Sequence, residues 1–331
     1  MIRIGYPATL ALELFRDFPA GIELIPVSDK LDRDVEHEVE HCIEIDVWIP
    51  DPYPTRAIRA WPRLRGVKLI ISMLAGTEWI PPIAGPHVTI CNAQGAHNVA
   101  TAEWVVGAIL ASLKYFPVYF DVQRSGVWKR RFDAAAHYTA ITGDATPLHP
   151  PAMLEELAGK RVLLVGYGEI GKEIERMLDP FHVGLTRIAR SYRMKPTVHA
   201  AAELDQLIPS AEIIVLIVPA TDETRGLIGA TQFALMRQGA LVVNAARGPV
   251  VDTDALVAAL QAGKVRAAID VTDPEPLPEG HPLWSCPNLL MTPHVAASSP
   301  QFARNALRVA AEELRRYING EPLRNVVQQG I

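Results

Sequence analysis

Arg247, Glu275 and His294 are the side chains whose types and order could do chemistry. They stand in NAARGPVVD, IDVTDPEPLP and TPHVAAS, each just after a short apolar run that reads as a buried strand. A histidine titrates near neutrality, so it can give or take a proton as a bond is made. A carboxylate beside it stabilises the imidazolium. A guanidinium meets a carboxylate in two-point geometry and keeps its charge. Ligands of open α/β sheets bind outside the carboxyl ends of strands, so all three residues are expected near one crevice.

A second chemical feature precedes them. RVLLVGYGEIGKEIERML runs a β-branched strand into Gly166-Tyr167-Gly168-Glu169-Ile170-Gly171 and then into a helix with Ile170, Ile174, Met177 and Leu178 on one face. Gly166 permits a tight turn, Gly168 lets a pyrophosphate approach the backbone, and Gly171 lets helix and strand pack closely. The helix N-terminus offers unpaired N–H groups to the phosphates. The next strand ends in LTRIARSYR. An acidic residue is expected there to hold the ribose hydroxyls of NAD, and the chain has Ala189 followed by Arg190, Ser191 and Arg193. Cations at this point suit a 2′-phosphate, so NADP(H) is the preferred dinucleotide, with NAD(H) possible.

These features need two strand–helix series to position them. IRIGYP (2–7), IELIPV (22–27), IEIDVWI (43–49), VKLIIS (67–72) and VTICNA (88–93) read as strands of a first series. NVATAEWVVGAILASLKYF (98–116) reads as one long helix, and residues 132–153 as a loop or arm without clear period. The second series runs through RVLLVGYG, EIIVLIVP, GALVVNAA, VRAAIDV and NLLMTP, and FARNALRVAAEELRRYI (302–318) reads as a closing helix.

GYGEIG, VPATDETRGLIG, NAARGPVVD, IDVTDPEPLP, TPHVAAS and INGEPLRNVV, in this order, resemble the D-isomer-specific 2-hydroxyacid dehydrogenases over nearly the whole chain. The resemblance implies an α/β fold of two doubly wound parallel-sheet domains with a cleft between them. A flavodoxin-like substrate domain would comprise residues 1–102 and 296–331, and a Rossmann cofactor domain residues 103–295. It implies that Arg247 binds the substrate carboxylate and polarises its carbonyl. His294 would be the general acid of reduction and base of oxidation, with Glu275 orienting it. Leu74, Ala75 and Gly76, in SMLAGTEWI, match the loop whose backbone amides hold that carboxylate. Asp270 would face the nicotinamide end of the cofactor, with Thr101, Pro219, Thr224 and Ala245 also on the cofactor side. The activity implied is hydride transfer between NADP(H) and a small 2-oxo or D-2-hydroxy acid. The arginine pair resembles glyoxylate and hydroxypyruvate reductases that use NADPH. A homodimer through the inserted domain is implied as well.

Other classes fit less well. The chain has 331 residues, 49% hydrophobic and 21% charged, with a formal net charge of -5, so no basic balance points to nucleic acid. Its three cysteines, Cys42, Cys91 and Cys286, offer neither a disulfide framework nor a CxxC zinc site. No signal peptide or apolar run of membrane length is legible, so the expected placement is cytoplasmic. HEVEH (37–41) matches the HExxH zinc pattern, but a strand begins almost at once and leaves little helix after His41, so no metal is expected. No GxSxG occurs, and Cys286 has no evident activating partner. Glu275 argues against formate-oxidising relatives, which carry an amide there, and no room is expected for a C-terminal regulatory domain. The alternative from another class is a dinucleotide-sensing regulator of the same fold, which retains a similar trio and differs by lacking turnover.

Overall fold

The computed structural model describes residues 1–28, 42–144, 146 and 150–327, so HEVEH lies outside the described residues. The chain forms two compact units, Met1–His97 with Ser299–Ile331, and Asn98–Ser298. Both are α/β, with parallel sheets.

In the first unit, β1 (Ile2–Pro7), β2 (Ile22–Val27), β4 (Val47–Trp48), β6 (Leu69–Ile71) and β7 (Thr89–Cys91) form one sheet in the order β2-β1-β4-β6-β7. This is the flavodoxin-like doubly wound order. β3 (Ile43–Glu44) pairs with β5 (Leu64–Arg65) in a separate two-stranded sheet. The single strand expected over 43–49 is therefore broken. Ile45 and Asp46 lie between the two pieces, and the Asp46 carboxylate accepts the Arg3 N–H at 2.9 Å. Ile4, Val47, Leu69 and Ile71 bury one sheet face against Ala306, Leu307, Ala310 and Leu314 of the helix Phe302–Asn319. The C-terminal segment thus completes this core by covering apolar surface that would otherwise face water.

The second unit holds β8 (Arg161–Val165), β9 (Gly184–Ala189), β10 (His199–Ala200), β11 (Ile213–Leu216), β12 (Ala240–Asn244), β13 (Val265–Ile269) and β14 (Leu289–Met291). Their order, β10-β9-β8-β11-β12-β13-β14, reverses direction between β8 and β11. That reversal is the switch point where the Rossmann arrangement binds its ligand. The central strands are buried on both faces, which explains the apolar runs IIVL of β11 and ALVV of β12.

Two expectations about the connecting segment change. The helix read over 98–116 ends at Leu113; Tyr115 takes a left-handed φ of 52° and a new helix, Phe116–Ser125, begins. Tyr115 is buried there, and its hydroxyl donates to Glu155 Oε1 at 2.8 Å. That carboxylate also accepts from Arg266 and Lys160. The stretch 132–153, read as a loop, contains the helix Asp133–Thr142, closed by Gly143 at φ 71°. Only Ala134 and Ile141 of this helix are buried, too few to leave a period in the sequence. Among the described residues, no single helix is long and apolar enough to cross a membrane.

Candidate active site

The glycine loop leaves β8 at the switch point. Gly166 has φ 107°, and a Cβ there would meet Ile217 O at 2.4 Å. A Cβ on Gly171 would meet Gly166 O at 2.5 Å, whereas one on Gly168 would point into open space. The first and third glycines are therefore required by packing, and the second opens a cradle. Gly168 precedes the helix Glu169–Leu178 and supplies no side-chain cap, so first-turn N–H groups remain for an anion. A dinucleotide's pyrophosphate fits this cradle.

Around the loop, Tyr167 lies beside two guanidinium groups, with Arg193 and Arg187 at 5.5 and 5.7 Å from its ring centroid. Arg193 donates to Tyr167 O at 2.9 Å, so it ties the segment after β9 onto the glycine loop. Arg187 forms a two-point pair with Glu175, which also accepts from the Tyr167 hydroxyl at 2.5 Å. Hydrogen bonding from Arg187 holds the Glu175 carboxyl below its usual range. Sequence reading missed this pair, because its members stand on a helix and the following strand with no shared motif. Arg190 and Ser191 are exposed, and Arg190 lies 3.8 Å from Glu223. Glu169 pairs with Lys172 at 2.6 Å, while Ile170 packs against the sheet. Thr224 donates to Pro219 O at 2.6 Å and closes the turn after β11. Ala245 is half-buried just after β12, and Thr101 is buried in the first turns of the helix Asn98–Leu113.

Arg247 follows β12. Asn244, buried at the strand end, accepts the Ala246 N–H at 3.0 Å and donates to Arg247 O at 3.1 Å, which shapes the turn. A Cβ on Gly248 would come within 1.9 Å of Thr272 O. Only glycine lets this turn press backbone to backbone against the loop that carries Glu275. Arg247 Nη1 donates to Ala246 O at 2.8 Å.

His294 follows β14 and has φ 55°. Its N–H donates to Asp270 O at 2.7 Å. Asp270 is buried, and its carboxylate accepts from Thr292 Oγ1 at 2.6 Å and from the Val295 and Ala296 amides at 2.8 Å each. The side chain therefore braces the turn that presents His294. His294 Nδ1 and Glu275 Oε1 are 2.5 Å apart. The hydrogen bond to Glu275 pushes the His294 pKa up, while burial and the Arg247 charge oppose it. The same bond holds Glu275 below its usual range against burial, with help from Arg247. An ionised Glu275 can only accept, so Nδ1 carries the proton and Nε2 is the exchangeable site. Among the described residues, none bonds to Nε2.

In the first unit, Leu74–Gly76 follow β6. Three successive carbonyls point back to residues 92–97: Met73 O accepts from His97 Nε2 at 2.9 Å, Leu74 O from the Ala93 N–H at 2.9 Å, and Ala75 O from Asn92 Nδ2 at 3.0 Å. In a trans peptide N–H and C=O are opposed, so the Ala75 and Gly76 amides face away from that segment. Among the described residues, no group accepts from either. The Leu74 amide differs, since it donates to Ser72 Oγ at 3.0 Å. Two amides, at Ala75 and Gly76, are thus open to an anion.

Fold and site together define a dinucleotide-binding α/β protein of two doubly wound units. The family model described as D-isomer specific 2-hydroxyacid dehydrogenase, NAD binding domain, matches residues 106–296, and the chain belongs to that family. It is 32% identical over 244 residues to D-3-phosphoglycerate dehydrogenase of Archaeoglobus fulgidus, covering 72% of this chain but 43% of that protein. It is 31% identical over 277 residues to glyoxylate reductase of Aeropyrum pernix, covering 82% of this chain and 78% of that one. Among solved structures, a D-isomer specific 2-hydroxyacid dehydrogenase from Xanthobacter autotrophicus Py2, in complex with NADPH and MES, matches at a TM-score of 0.73 and 26% identity, covering 99% of this chain and 98% of that one.

Proposed function

We propose that this protein is an NADP(H)-dependent reductase of small 2-oxo acids, with glyoxylate and hydroxypyruvate as its first candidate substrates and D-2-hydroxy acids as products. The observation that carries the reading is the 2.5 Å His294–Glu275 pair, which leaves Nε2 open for a proton. Unit Asn98–Ser298 would hold the cofactor, with Gly168 and the helix start at its pyrophosphate and Arg190 and Ser191 at its 2′-phosphate. The NADPH complex of the Xanthobacter relative supports that preference. When bound, the cofactor supplies the hydride. His294 Nε2 delivers a proton to the substrate's carbonyl oxygen and recovers it in the reverse direction. Glu275 keeps the imidazole oriented and stabilises its charged form. Arg247 binds the carboxylate and polarises the adjacent carbonyl. In unit 1, the Ala75 and Gly76 amides are further carboxylate donors.

The test is oxidation of NADPH and of NADH, measured separately by absorbance, with glyoxylate, hydroxypyruvate and bulkier 2-oxo acids. Fast turnover with NADPH and weak turnover with NADH is the expected result. NADH preference would remove the phosphate site from Arg190 and Ser191. No turnover, despite tight cofactor binding, would overturn the enzyme reading and leave a dinucleotide sensor.

Reduction needs His294 protonated, so its rate falls as pH rises through the raised His294 pKa. Glu275→Gln removes the carboxylate that raises it. The alkaline limb of kcat/KM for reduction is expected to move to lower pH, and the acid limb for oxidation with it. Limbs that stay in place in both directions would dissolve the pairing as a catalytic device.

We also propose a homodimer. Phe116 and Phe120, with Val127, Trp128 and Phe132 just beyond, leave large apolar side chains exposed on one segment, which suits a second copy. Light scattering is expected to give twice the chain mass; a monomer at assay concentration would overturn this.

A further inference from the structure

We infer that His97 is a positioning residue for substrate binding: by fixing the Met73 carbonyl it sets the direction of the Ala75 and Gly76 amides that take the substrate carboxylate. The inference rests on the function proposed above and adds a residue to it.

Met73 O can only accept, so the proton lies on His97 Nε2, and the bond of 2.9 Å has one direction. His97 is 8% exposed. Its ring stacks on Phe302 with centroids 4.5 Å apart and planes 6° from parallel. Burial lowers the His97 pKa, which keeps the ring neutral near pH 7, and the neutral ring with its proton on Nε2 is the donor this contact needs.

The peptide between Met73 and Leu74 is held at both ends. Its carbonyl is bound by His97 and its N–H by Ser72 Oγ. The next two peptides are held at the carbonyl end alone, by Ala93 and Asn92, and their N–H ends are the open ones. A rotation of the first plane passes along the chain to both open amides, because each planar peptide leaves only φ and ψ as soft joints. The imidazole thus anchors the plane from which the amide pair is aimed.

The placement of the ring adds a reason for its identity. His97 is the last residue of unit 1 before the chain leaves it, and Phe302 stands just after the chain returns at Ser299. The stack joins the outgoing and returning strands of backbone within that unit, while Nε2 joins both to the loop after β6. A side chain at 97 therefore needs a flat face for Phe302 and an N–H for Met73. Phenylalanine supplies the first without the second, and glutamine the second without the aromatic face.

The test compares His97→Phe and His97→Gln with the wild type, using NADPH and the 2-oxo acid turned over best. His97→Phe is expected to raise KM for the 2-oxo acid about tenfold, in line with loss of one buried hydrogen bond. Its kcat should stay within about threefold and its KM for NADPH should not move; His97→Gln should lie closer to the wild type in KM. Unchanged oxo-acid KM in His97→Phe, an equal loss in His97→Gln, or a parallel loss of NADPH affinity would each overturn the inference. His97→Leu replaces His97→Phe if the latter does not fold. Amide hydrogen exchange of the unliganded protein gives a readout that needs no activity. The Leu74 and Ala93 amides, bound to Ser72 Oγ and Leu74 O, are expected to exchange about tenfold faster in His97→Phe than in the wild type. Amides of β8 and β11 should be unchanged. If the wild type turned over no 2-oxo acid, the proposed function would fail, and unaltered exchange at Leu74 and Ala93 would separately overturn the role of His97.

Discussion

His294→Ala is expected to lower kcat/KM for 2-oxo acid reduction by about 10²–10⁴-fold, the span that general acid–base catalysis contributes. The loss should persist across pH, because among the described residues no side chain is hydrogen-bonded at Nε2 to relay a proton in its place. Folding of the loop should survive. The turn is held through backbone groups, with the residue 294 N–H on Asp270 O and the Val295 and Ala296 amides on the Asp270 carboxylate. The φ of 55° does strain an alanine, so His294→Asn, which tolerates the left-handed region better, is the companion variant. Both should bind NADPH with near wild-type affinity in a fluorescence titration, because the glycine loop stands on a different strand. Near-normal turnover in either variant would remove His294 from the acid role.

Arg247→Ala is the second large effect. Two charge-assisted hydrogen bonds to a carboxylate, at about 1.5–3 kcal/mol each, correspond to about 10²–10⁴ in kcat/KM. NADPH binding is expected to remain, since the residue is placed by Asn244 and Gly248 rather than by the glycine loop. The Arg247 charge also holds down the pKa of His294. Its removal should move the alkaline limb of reduction to higher pH, opposite in sign to the effect of Glu275→Gln. Partial recovery on adding free guanidinium would support loss of the cation itself. Intact kcat/KM, or a pH limb that moves downward, would reject the assignment.

Much of this protein is legible in its sequence. β1 and β2 span the residues read as strands at 2–7 and 22–27, because a short apolar run marks a strand packed into a sheet core, wholly over the last four residues of β1 and in part over the edge strand β2. The glycine loop was legible because tight turns and close packing exclude a Cβ at particular positions. What the sequence could not express were contacts made by partners far apart. Glu155 and Arg266, 111 positions apart, form the buried cluster that receives Tyr115 where the long helix stops. The helix Asp133–Thr142 meets Gly239 and Gln238 through Ile141, and its own residues carry too little apolar pattern to announce it. Asp270, which the resemblance places toward the nicotinamide end of the cofactor, also accepts from Thr292, Val295 and Ala296, contacts that its motif does not announce.

The sequence by itself therefore determined the types of group and the strand after which each stands: guanidinium, carboxylate, imidazole, glycine cradle and the cations after β9. Side-chain chemistry and strand-scale periodicity are local properties, so they can be read one segment at a time. Tertiary structure alone decided which of these groups touch. Glu275 and His294 meet across 19 positions, Gly248 lets one loop press on another, and His97 reaches Met73 across 24. Hydrogen bonds act over about 3 Å and depend on direction, so no spacing in the chain fixes them until the sheets have formed.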